Sequence, residues 1–430
     1  MDEHLDPLPT TPVDVVVVGA GIAGLAAALT LTVAGRQVLV LDAHAPGGRA
    51  RTSAHDGFLH NVGPHAVYRT GALAAVLRVH GIVTSGGTPG GGETMVVRDG
   101  RATALSLRPA DLLRTSLLGR RDRARLIAMF VRLQRADSSR LAGRSLADWL
   151  GDTPVHVRHF AEMLARVSTY TDAPDVVDAG AAIAQMQMAI ASGVQYVDGG
   201  WGSIIRSMLE VIEQRGALVR TRRVVHSVEA DGRDAVVHTD AGDIVCGAVV
   251  LAAGGPEVAS RLTGAAVAGV DRLTPPVTAS ALDLGTTSTR DLVSFGLDEP
   301  MYLSTHAPVA RLAPAGRGLV SMQRYHRPGT EPATPDLERS RLRDFARLVG
   351  IGDDEVLHDR YLHRVVVSHG APTALGGGLA GRPSIDASGI DNVMLAGDWV
   401  GGTGWIGDAA AASGVEAARA LIRRRVSIAR

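Results

Sequence analysis

Three glycines and one acid near the start of the chain carry the first chemical signal. Gly19, Gly21 and Gly24 follow the apolar, β-branched run Val15–Val18, and Asp42 ends a second apolar run further on. At this spacing the first glycine permits a tight turn, the second lets a pyrophosphate approach the backbone, and the third lets a helix pack closely on the strand. A carboxylate at Asp42 can accept hydrogen bonds from ribose hydroxyls. The stretch predicts a βαβ site for an adenine dinucleotide, either FAD or NAD.

The composition excludes several other chemistries. Acidic and basic residues balance at 44 each in 430 residues, so no charge excess favours nucleic acid as a partner. The sequence contains no lysine, and the basic side chains are all arginine, so a lysine Schiff base is excluded. The sequence has one cysteine, Cys246, which excludes a disulfide within the chain and a cysteine-based metal site. Cys246 lies in a run that is typical of a buried strand. We expect no metal.

The sequence favours a cytoplasmic protein. Residues 1–11 are acidic and proline-rich, and we expect a disordered leader there rather than a signal peptide. No stretch of 18 apolar residues lacks charges, so we expect no transmembrane helix. The segment Leu112–Leu133 mixes apolar residues with six arginines, which is compatible with contact to a membrane surface. An ordinary domain helix with a solvated arginine face is the favoured interpretation.

The order of elements predicts two interleaved domains. Apolar periodicity predicts helices at Ala72–His80, Pro109–Leu118, Arg121–Arg135, Ser145–Leu150, Val155–Val167, Asp178–Ile190, Ile204–Arg215, Leu337–Leu348 and Asp408–Arg423. β-Branched or alternating runs predict strands at Val224–Glu229, Ala235–Thr239, Val249–Ala253, Thr278–Leu284, Gly318–Tyr325, Val365–Ser368 and Asn392–Ala396. Dinucleotide-fold patterns occur in three separated places with two insertions between them, so each domain is expected to consist of non-contiguous segments.

Five motifs then point to one family. In chain order they are Gly19-x-Gly21-x-x-Gly24; Gly47-Gly48-Arg49; Asp56-Gly57-Phe58 with Gly63-Pro64-His65; Gly199-Gly200-Trp201-Gly202-Ser203 with Val224-Val225; and Val393-Met-Leu-Ala-Gly397-Asp398 with Ser413-Gly414. With these motifs the chain resembles the FAD-dependent amine oxidase and phytoene desaturase superfamily, which shares its fold with protoporphyrinogen oxidases. The resemblance covers nearly all of residues 13–420 and favours FAD over NAD.

The resemblance implies an α/β fold in which a Rossmann-like, glutathione reductase-type FAD-binding domain is interleaved with an α+β substrate-binding domain. We expect residues 12–70, 196–262 and 385–425 to form the FAD-binding domain. Residues 71–195 and 263–384 would form the substrate domain, a helical cap plus a mixed sheet. The residues expected to bind FAD are Gly19, Gly21, Ile22, Ala23, Gly24, Asp42, Ala43, Gly47, Gly48, Arg49, Gly63, Pro64, His65, Val225, Gly397, Asp398, Gly404, Trp405, Ile406 and Ala409. No cysteine lies near the last motif, so the flavin is expected to be non-covalent.

Departures from the family pattern bear on the chemistry. Amine oxidases of this family usually keep a lysine near the flavin, and none exists here. One position of their aromatic cage corresponds to Trp405. The expected catalytic residues are His65, in the loop that resembles the flavin-facing loop of the family, together with Tyr68, His369 and Trp405. For the histidines, a purely structural or surface role is an open alternative.

The leading hypothesis is an FAD-dependent oxidoreductase that dehydrogenates a C–C bond of a small or medium-sized apolar molecule. An amine or amino-acid oxidase that produces peroxide is the alternative, which the missing lysine disfavours. A non-catalytic binding protein on the same fold is a third reading, which the intact glycines, Asp42 and Gly397-Asp398 disfavour. The sequence leaves the electron acceptor open between oxygen and a quinone.

Overall fold

The computed structural model describes residues 7–106 and 117–424. Its strands are β1 (Val13–Val18), β2 (Val38–Asp42), β3 (Thr52–His55), β4 (Phe58–Asn61), β5 (Val67–Tyr68), β6 (Gly86–Gly87), β7 (Glu93–Arg98), β8 (Arg101–Ala104), β9 (Val194–Val197), β10 (Leu218–Thr221), β11 (Val225–Ala230), β12 (Ala235–Thr239), β13 (Gly242–Leu251), β14 (Val277–Thr286), β15 (Leu292–Gly296), β16 (Met301–Ala307), β17 (Gly318–Tyr325), β18 (Val356–Ser368) and β19 (Val393–Leu395). Its α-helices are α1 (Ile22–Val33), α2 (Ala72–Val79), α3 (Arg120–Arg135), α4 (Leu146–Leu150), α5 (Val155–Thr169), α6 (Ala179–Ser192), α7 (Trp201–Gln214), α8 (Pro256–Thr263), α9 (Pro335–Leu348) and α10 (Ile406–Arg423).

The predicted βαβ unit lies at the centre of the first large sheet. The strand order is β10-β2-β1-β13-β12-β11, and β19 also pairs with β13. Strand β1 pairs in parallel with β2 and with β13, and β10 and β19 continue the parallel arrangement. Helices α1 and α10 pack against each other so closely that a Cβ on Gly414 would collide with the carbonyl of Ala23. The carboxyl ends of β1 and β2 therefore sit beside the last helix of the chain.

The second large sheet is mostly antiparallel, with the order β18-β14-β17-β16-β15-β7-β8. Helix α9 covers one face, where Leu342 and Phe345 pack with Leu282, Leu303 and Met322 in one apolar cluster. Because side chains alternate along a strand, the residues between these apolar positions point to the opposite face. That opposite face looks toward the hairpin β3–β4 and the loop that follows it, since a Cβ on Gly63 would touch Ala281 of β14.

The strands of the two large sheets come from different stretches of the chain. Strands of the first sheet lie between residues 13 and 42, 218 and 251, and 393 and 395, while those of the second lie between 93 and 104 and between 277 and 368. A small three-stranded sheet, β5-β9-β6, draws strands from both sets of segments. The boundaries of the two domains stay a prediction.

The largest difference from the sequence prediction concerns residues 93–104. The sequence pattern was interpreted as generally helical from residue 71 to about 190, apart from a glycine-rich turn at residues 86–92. Instead, β7 and β8 form a hairpin at residues 93–104, and β7 pairs in parallel with β15. Strands β15 and β16 were also not predicted. Strands β7 and β15 are short and pair with each other across about two hundred residues, and a local sequence pattern contains no signal for such a contact. Strand β18 begins nine residues before its predicted start, whereas β14 exceeds its prediction by only three residues.

The arginine-rich segment is a packed helix over the part that the structure describes. Residues 112–116 of Leu112–Leu133, residues 109–116 of the predicted helix Pro109–Leu118 and residues 1–6 of the predicted leader lie outside the described residues. In α3 the apolar side chains Leu126, Met129 and Leu133 are buried. Arg132 donates to the carbonyl of Trp149 at 2.6 Å and stacks over its ring. Within residues 7–106 and 117–424, no helix has both the length and the apolar character that crossing a membrane requires.

Candidate functional site

A cavity of about 590 Å³ is bounded by elements of both large sheets. At one end it is lined by the turn after β1, the end of β2 and Val225, and at the other by Tyr68, Tyr170, Gln185 and Gln323. The predicted residues that line it are Gly19, Gly21, Ile22, Ala23, Asp42, Ala43, Gly47, Gly48, Arg49, Pro64, His65, Tyr68, Val225, His369, Gly397, Asp398, Trp405 and Ile406. Most of the predicted residues thus line this one cavity, although the motifs span almost the whole chain.

Four predicted cofactor residues lie behind the cavity wall instead of in it. Gly24 packs against the backbone of Gly19, so that any Cβ would collide there. Gly63 lies against Ala281, and the carbonyl of Gly404 accepts a hydrogen bond from Arg382 at 2.9 Å. Ala409 is fully buried in α10. These four residues support the wall by packing behind it and do not themselves line the cavity.

The turn after β1 leaves a helix N-terminus open to the cavity. Gly19 has a φ of 109°, which favours glycine, and Gly21 caps α1 without any side-chain hydrogen bond. A Cβ added to Gly21 would meet no atom within 4 Å, so this position faces open space. Asp42 holds the turn by accepting hydrogen bonds from the N–H of Ala20 at 2.7 Å and of His44 at 2.8 Å. Free backbone donors and the positive end of the helix dipole suit a phosphate here.

An ionic cluster around the buried carboxylate of Asp398 lies in the cavity wall. Arg49 donates through Nη2 and Nη1 to the two carboxylate oxygens of Asp398, at 2.5 and 3.1 Å. His369 contacts the same carboxylate through its backbone N–H at 2.9 Å and through Nδ1 at 3.0 Å. Burial would raise the pKa of Asp398, but Arg49 and His369 outweigh it and hold the pKa well below its usual range. The sequence expected His369 to be catalytic, and the structure places it as a partner of this carboxylate.

His65 presents a neutral imidazole at the other end of the cavity. Its Nδ1 lies 2.9 Å from the carbonyl oxygen of Gly63, and because a carbonyl only accepts, Nδ1 must carry the hydrogen. The lone pair is then on Nε2, which can accept a proton. The ring stacks edge-on against Trp201, with centroids 4.8 Å apart. Burial lowers the pKa of His65, so the ring is neutral at physiological pH.

Two tyrosines line the same end as neutral hydroxyls. The hydroxyl of Tyr68 donates to the carbonyl of Ser168, and that of Tyr170 donates to the carbonyl of Pro64, each at 3.3 Å. Burial raises the pKa of Tyr68 to about 12 and raises that of Tyr170 well above its usual value. Both side chains therefore keep their protons and provide polar but uncharged walls.

Trp405 occupies the N-terminus of α10, where the predicted aromatic position lies. The ring is buried beside the cavity, and α10 begins without a side-chain cap. The guanidinium of Arg382 lies 5.7 Å from the centre of the ring and donates to the carbonyl of Gly404. The turn thus combines a helix N-terminus with a buried cation.

Several polar residues of the wall were not predicted from the sequence, among them Gln185 on α6, Gln323 on β17 and Asp408 on α10. Asp408 accepts a hydrogen bond through Oδ1 from the N–H of Leu73 at 2.9 Å and so caps α2. Burial raises its pKa to about 6. A usable signal existed for Gln323, because Ser321 and Gln323 alternate with the apolar residues Val320 and Met322 along one strand.

Other candidate bases lie away from the cavity. His306 stacks on Tyr196, with ring centroids 4.0 Å apart, and burial lowers its pKa to about 4. His326 lies between the hydroxyls of Thr278 and Ser280, at 3.1 and 3.2 Å, and burial likewise lowers its pKa to about 4. Neither lines the cavity. Their roles are in the packing of the second sheet.

Comparison with known proteins decides the family. The family model described as flavin containing amine oxidoreductase matches residues 22–422. The chain belongs to this family. A flavin containing amine oxidoreductase of this kind is an FAD-dependent oxidoreductase, and the match covers every motif of the cavity wall from Ile22 onward.

Relatives in this family carry different names. The chain is 31% identical over 290 residues to a phytoene dehydrogenase of Streptomyces griseus, which covers 59% of this chain and 56% of that protein. It is also 31% identical over 268 residues to the putative flavin-containing monoamine oxidase AofH of Mycobacterium tuberculosis, which covers 57% of each chain. The chain thus spans little more than half the length of these relatives.

Solved structures of other proteins share the fold. An oxidoreductase from Methanosarcina mazei superposes with a TM-score of 0.75 at 20% identity, over 94% of this chain and 99% of that one. Putrescine oxidase with putrescine bound gives a TM-score of 0.75 at 17% identity, over 97% and 100% of the two chains. At these identities the likeness concerns the mixed α/β fold alone.

The cavity of this flavin containing amine oxidoreductase fits FAD on its own features. Open space lies at Gly21 and Gly48, where no neighbour is found within 4 Å of an added Cβ, and the α1 N-terminus has free donors beside it. The same cavity is also lined by Arg49, His65 and Trp405. These features suit a diphosphate near Gly21, and the aromatic side chains of the lining suit a flavin ring.

Proposed function

We propose that this enzyme dehydrogenates a C–C bond of a small or medium-sized, mostly apolar and uncharged substrate. The observation that carries the proposal is the neutral chemistry of the cavity end formed by His65, Tyr68 and Tyr170. Their pKa shifts keep all three uncharged, and Nε2 of His65 is left as a proton acceptor. An uncharged substrate matches such a wall better than an ammonium group does.

We infer that FAD is held without a covalent bond along the predicted domain of residues 12–70, 196–262 and 385–425. The parallel order β10-β2-β1-β13 supports a Rossmann-like arrangement of the glutathione reductase type, with residues 71–195 and 263–384 as the substrate domain. Gly21 and the α1 N-terminus would bind the diphosphate, Asp42 the ribose and Val225 the adenine. Cys246, buried in β13, does not line the cavity.

In this reaction one carbon of the substrate loses a hydride, which FAD accepts when bound, its neighbour loses a proton, and a double bond forms between them. His65 is proposed to take the proton at Nε2, since Nδ1 is fixed by the carbonyl of Gly63. Tyr68, Tyr170 and Trp405 are proposed to exclude water and orient the substrate, while the buried Arg49–Asp398–His369 cluster fixes the wall next to it.

An amine oxidase is the second candidate, and Asp408 is the observation that favours it. Its carboxyl borders the cavity and could pair with an ammonium group. Its Oδ2 is buried without a hydrogen-bond partner among the described residues, which leaves it available to a donor. Against this, Oδ1 is engaged by the N–H of Leu73, and both oxygens lie close to Gly71. The absence of lysine also disfavours this candidate.

The deciding experiment mixes the purified FAD-bound enzyme, without oxygen, with matched saturated substrates and amines. We expect saturated uncharged compounds to bleach the flavin and to lose two hydrogen atoms, as seen by mass spectrometry. Bleaching by amines alone, followed by peroxide formation in air, would establish the second candidate instead. A protein that binds no flavin on reconstitution would exclude both.

A further inference from the structure

The second sheet has two faces of opposite character. The face under α9 is apolar, whereas the face toward the cavity carries buried polar side chains. Its buried polar members are Asp283, Tyr302, Ser304, His306, Ser321, Gln323 and Tyr325. Most of them are satisfied within the sheet: Ser321 donates to Asp283 at 2.5 Å, and Arg360 pairs with the same carboxylate. A buried polar sheet face is unusual, because apolar residues would serve packing better.

Gln323 is the member of this face that borders the cavity. It pairs across the sheet with Ala281 of β14 and with Tyr302 of β16, so its backbone is fixed on both sides. Only 3% of the residue is exposed, and its Nε2 makes no hydrogen bond of good geometry within the described residues, although the side chain interacts with the buried hydroxyl of Tyr325. An amide donor left in this state costs free energy, so its presence at a cavity wall indicates a ligand acceptor.

The neighbourhood of Gln323 includes the proposed base. Ala281, its cross-strand partner, touches the loop at Gly63 that fixes the imidazole of His65. Gln185 lines the opposite wall and is 4% exposed. No charged side chain of the described sheet faces this space uncompensated, since Asp283 is paired with Arg360.

We propose that the amide of Gln323 binds a carbonyl oxygen of the substrate, and that the substrate is a neutral carbonyl compound such as a ketone, amide or lactam. This inference rests on the proposed function. A carbonyl oxygen accepts from Nε2, and a carbonyl acidifies the C–H bond on the adjacent carbon. A neutral histidine can then remove the proton on that carbon, so no stronger base is needed.

The test compares ligands that share a skeleton and differ in the polar group. Cyclohexanone, methylcyclohexane and cyclohexylamine form one set, and phenylpropanamide, propylbenzene and phenylpropylamine form another. Binding to the FAD-bound enzyme is measured by the change in the flavin absorption spectrum. We expect the carbonyl members to bind and Gln323→Leu to weaken them by about tenfold or more, with the hydrocarbons unchanged or improved. Gln323→Glu should weaken them similarly, because it keeps the shape and removes the donor.

Gln187→Leu is the matched control. Gln187 lies on α6, two residues from Gln185, but donates to the carbonyls of Leu133 and Ala136 at 2.8 and 2.9 Å and does not line the cavity. The Gln187→Leu variant should have a lower thermal stability and an unchanged affinity for the ligands.

Equal affinity for ketone and hydrocarbon, a preference for the amines, or unchanged carbonyl affinity in both Gln323 variants would overturn the inference. Failure to observe binding of either carbonyl compound to the flavin-loaded enzyme would do so as well. The proposed function fails separately, when no uncharged compound of any kind reduces the flavin.

Discussion

Arg49 holds both carboxylate oxygens of Asp398, at 2.5 and 3.1 Å, although 349 residues separate the two in sequence. The arginine follows the first βαβ unit, and the acid follows the last strand of the same sheet. Asp398 is 1% exposed, so its charge depends on this partner and on His369. The pair therefore joins the two ends of the chain at the wall of the cofactor cavity.

Removing the arginine should destabilise the protein and weaken FAD binding. Arg49→Met leaves a buried carboxylate with His369 as its remaining side-chain partner, and a lost charged hydrogen bond costs about 1.5–3 kcal/mol. We expect a lower free energy of unfolding and less FAD retained after gel filtration.

Asp175→Asn is the control for Arg49→Met. It removes an equally short ion pair with Arg327, at 2.6 Å, that is about half exposed. Surface pairs contribute about 0–1 kcal/mol, so this variant should keep both stability and FAD. Equal losses in the two variants would contradict the role assigned to the buried pair.

Gly21 and Gly24 should fail in different ways when each becomes alanine. Space is open beside Gly21, so Gly21→Ala should fold normally and bind FAD more weakly, because the methyl group occupies the place proposed for the diphosphate. Gly24→Ala forces a methyl group against the carbonyl of Gly19, which should cost about 1–3 kcal/mol of unfolding free energy. Urea unfolding of the apoprotein and FAD titration separate the two effects. A loss of apoprotein stability in Gly21→Ala would contradict this assignment.

The rate of flavin reduction should depend on pH through His65. Burial lowers its pKa below the ordinary value of 6.5, so the neutral, proton-accepting ring dominates at neutral pH. The rate should be level above pH 6.5 and fall as the pH drops through the lowered pKa. In His65→Ala it should fall about 10²–10⁴-fold and lose this dependence. Stopped-flow reduction without oxygen measures both.

His326→Asn serves as the comparison for His65→Ala. His326 is also buried with a lowered pKa but lies outside the cavity wall. Its reduction rate and pH profile should match those of the unchanged enzyme. If His65→Ala behaved like this variant, the base would have to be sought elsewhere.

Asp408 should make the protein less stable as the pH rises. Its pKa is raised from 3.8 to about 6 by burial, so the folded state binds the proton more tightly than the unfolded chain. Stability is then lost as the pH rises from about 4 through 6, by about 2–3 kcal/mol. Asp408→Asn keeps the acceptor for Leu73 and should remove this loss, so it should gain stability at pH 7.5 and not at pH 4. Urea unfolding at the two pH values checks the sign, and a pH-independent difference would contradict it.

The sequence predicted the elements whose signal lies within a short stretch of residues. The glycines after β1, the strand Ala235–Thr239 and the cap at Ser145, whose side chain accepts from the N–H of Asp148, follow from short patterns. Strand β7 was missed because its partner β15 lies far along the chain. The cavity wall shows the same limit. Its motif residues were predicted, whereas Gln185, Gln323 and Asp408 belong to no motif and gain a role only from the surfaces that folding brings together.

The arrangement of the first sheet has a consequence for biosynthesis. Strand β19 and helix α10 complete the wall begun by β1 and α1, and the close approach of Gly414 to Ala23 leaves no room for a substitute segment. A ribosome-bound chain that has not yet released these last elements has the glycine turn but no Asp398 to pair with Arg49. If FAD binds as proposed, its capture is expected only after β19 and α10 have left the ribosome. A chain truncated before β19 would present a half-built cavity.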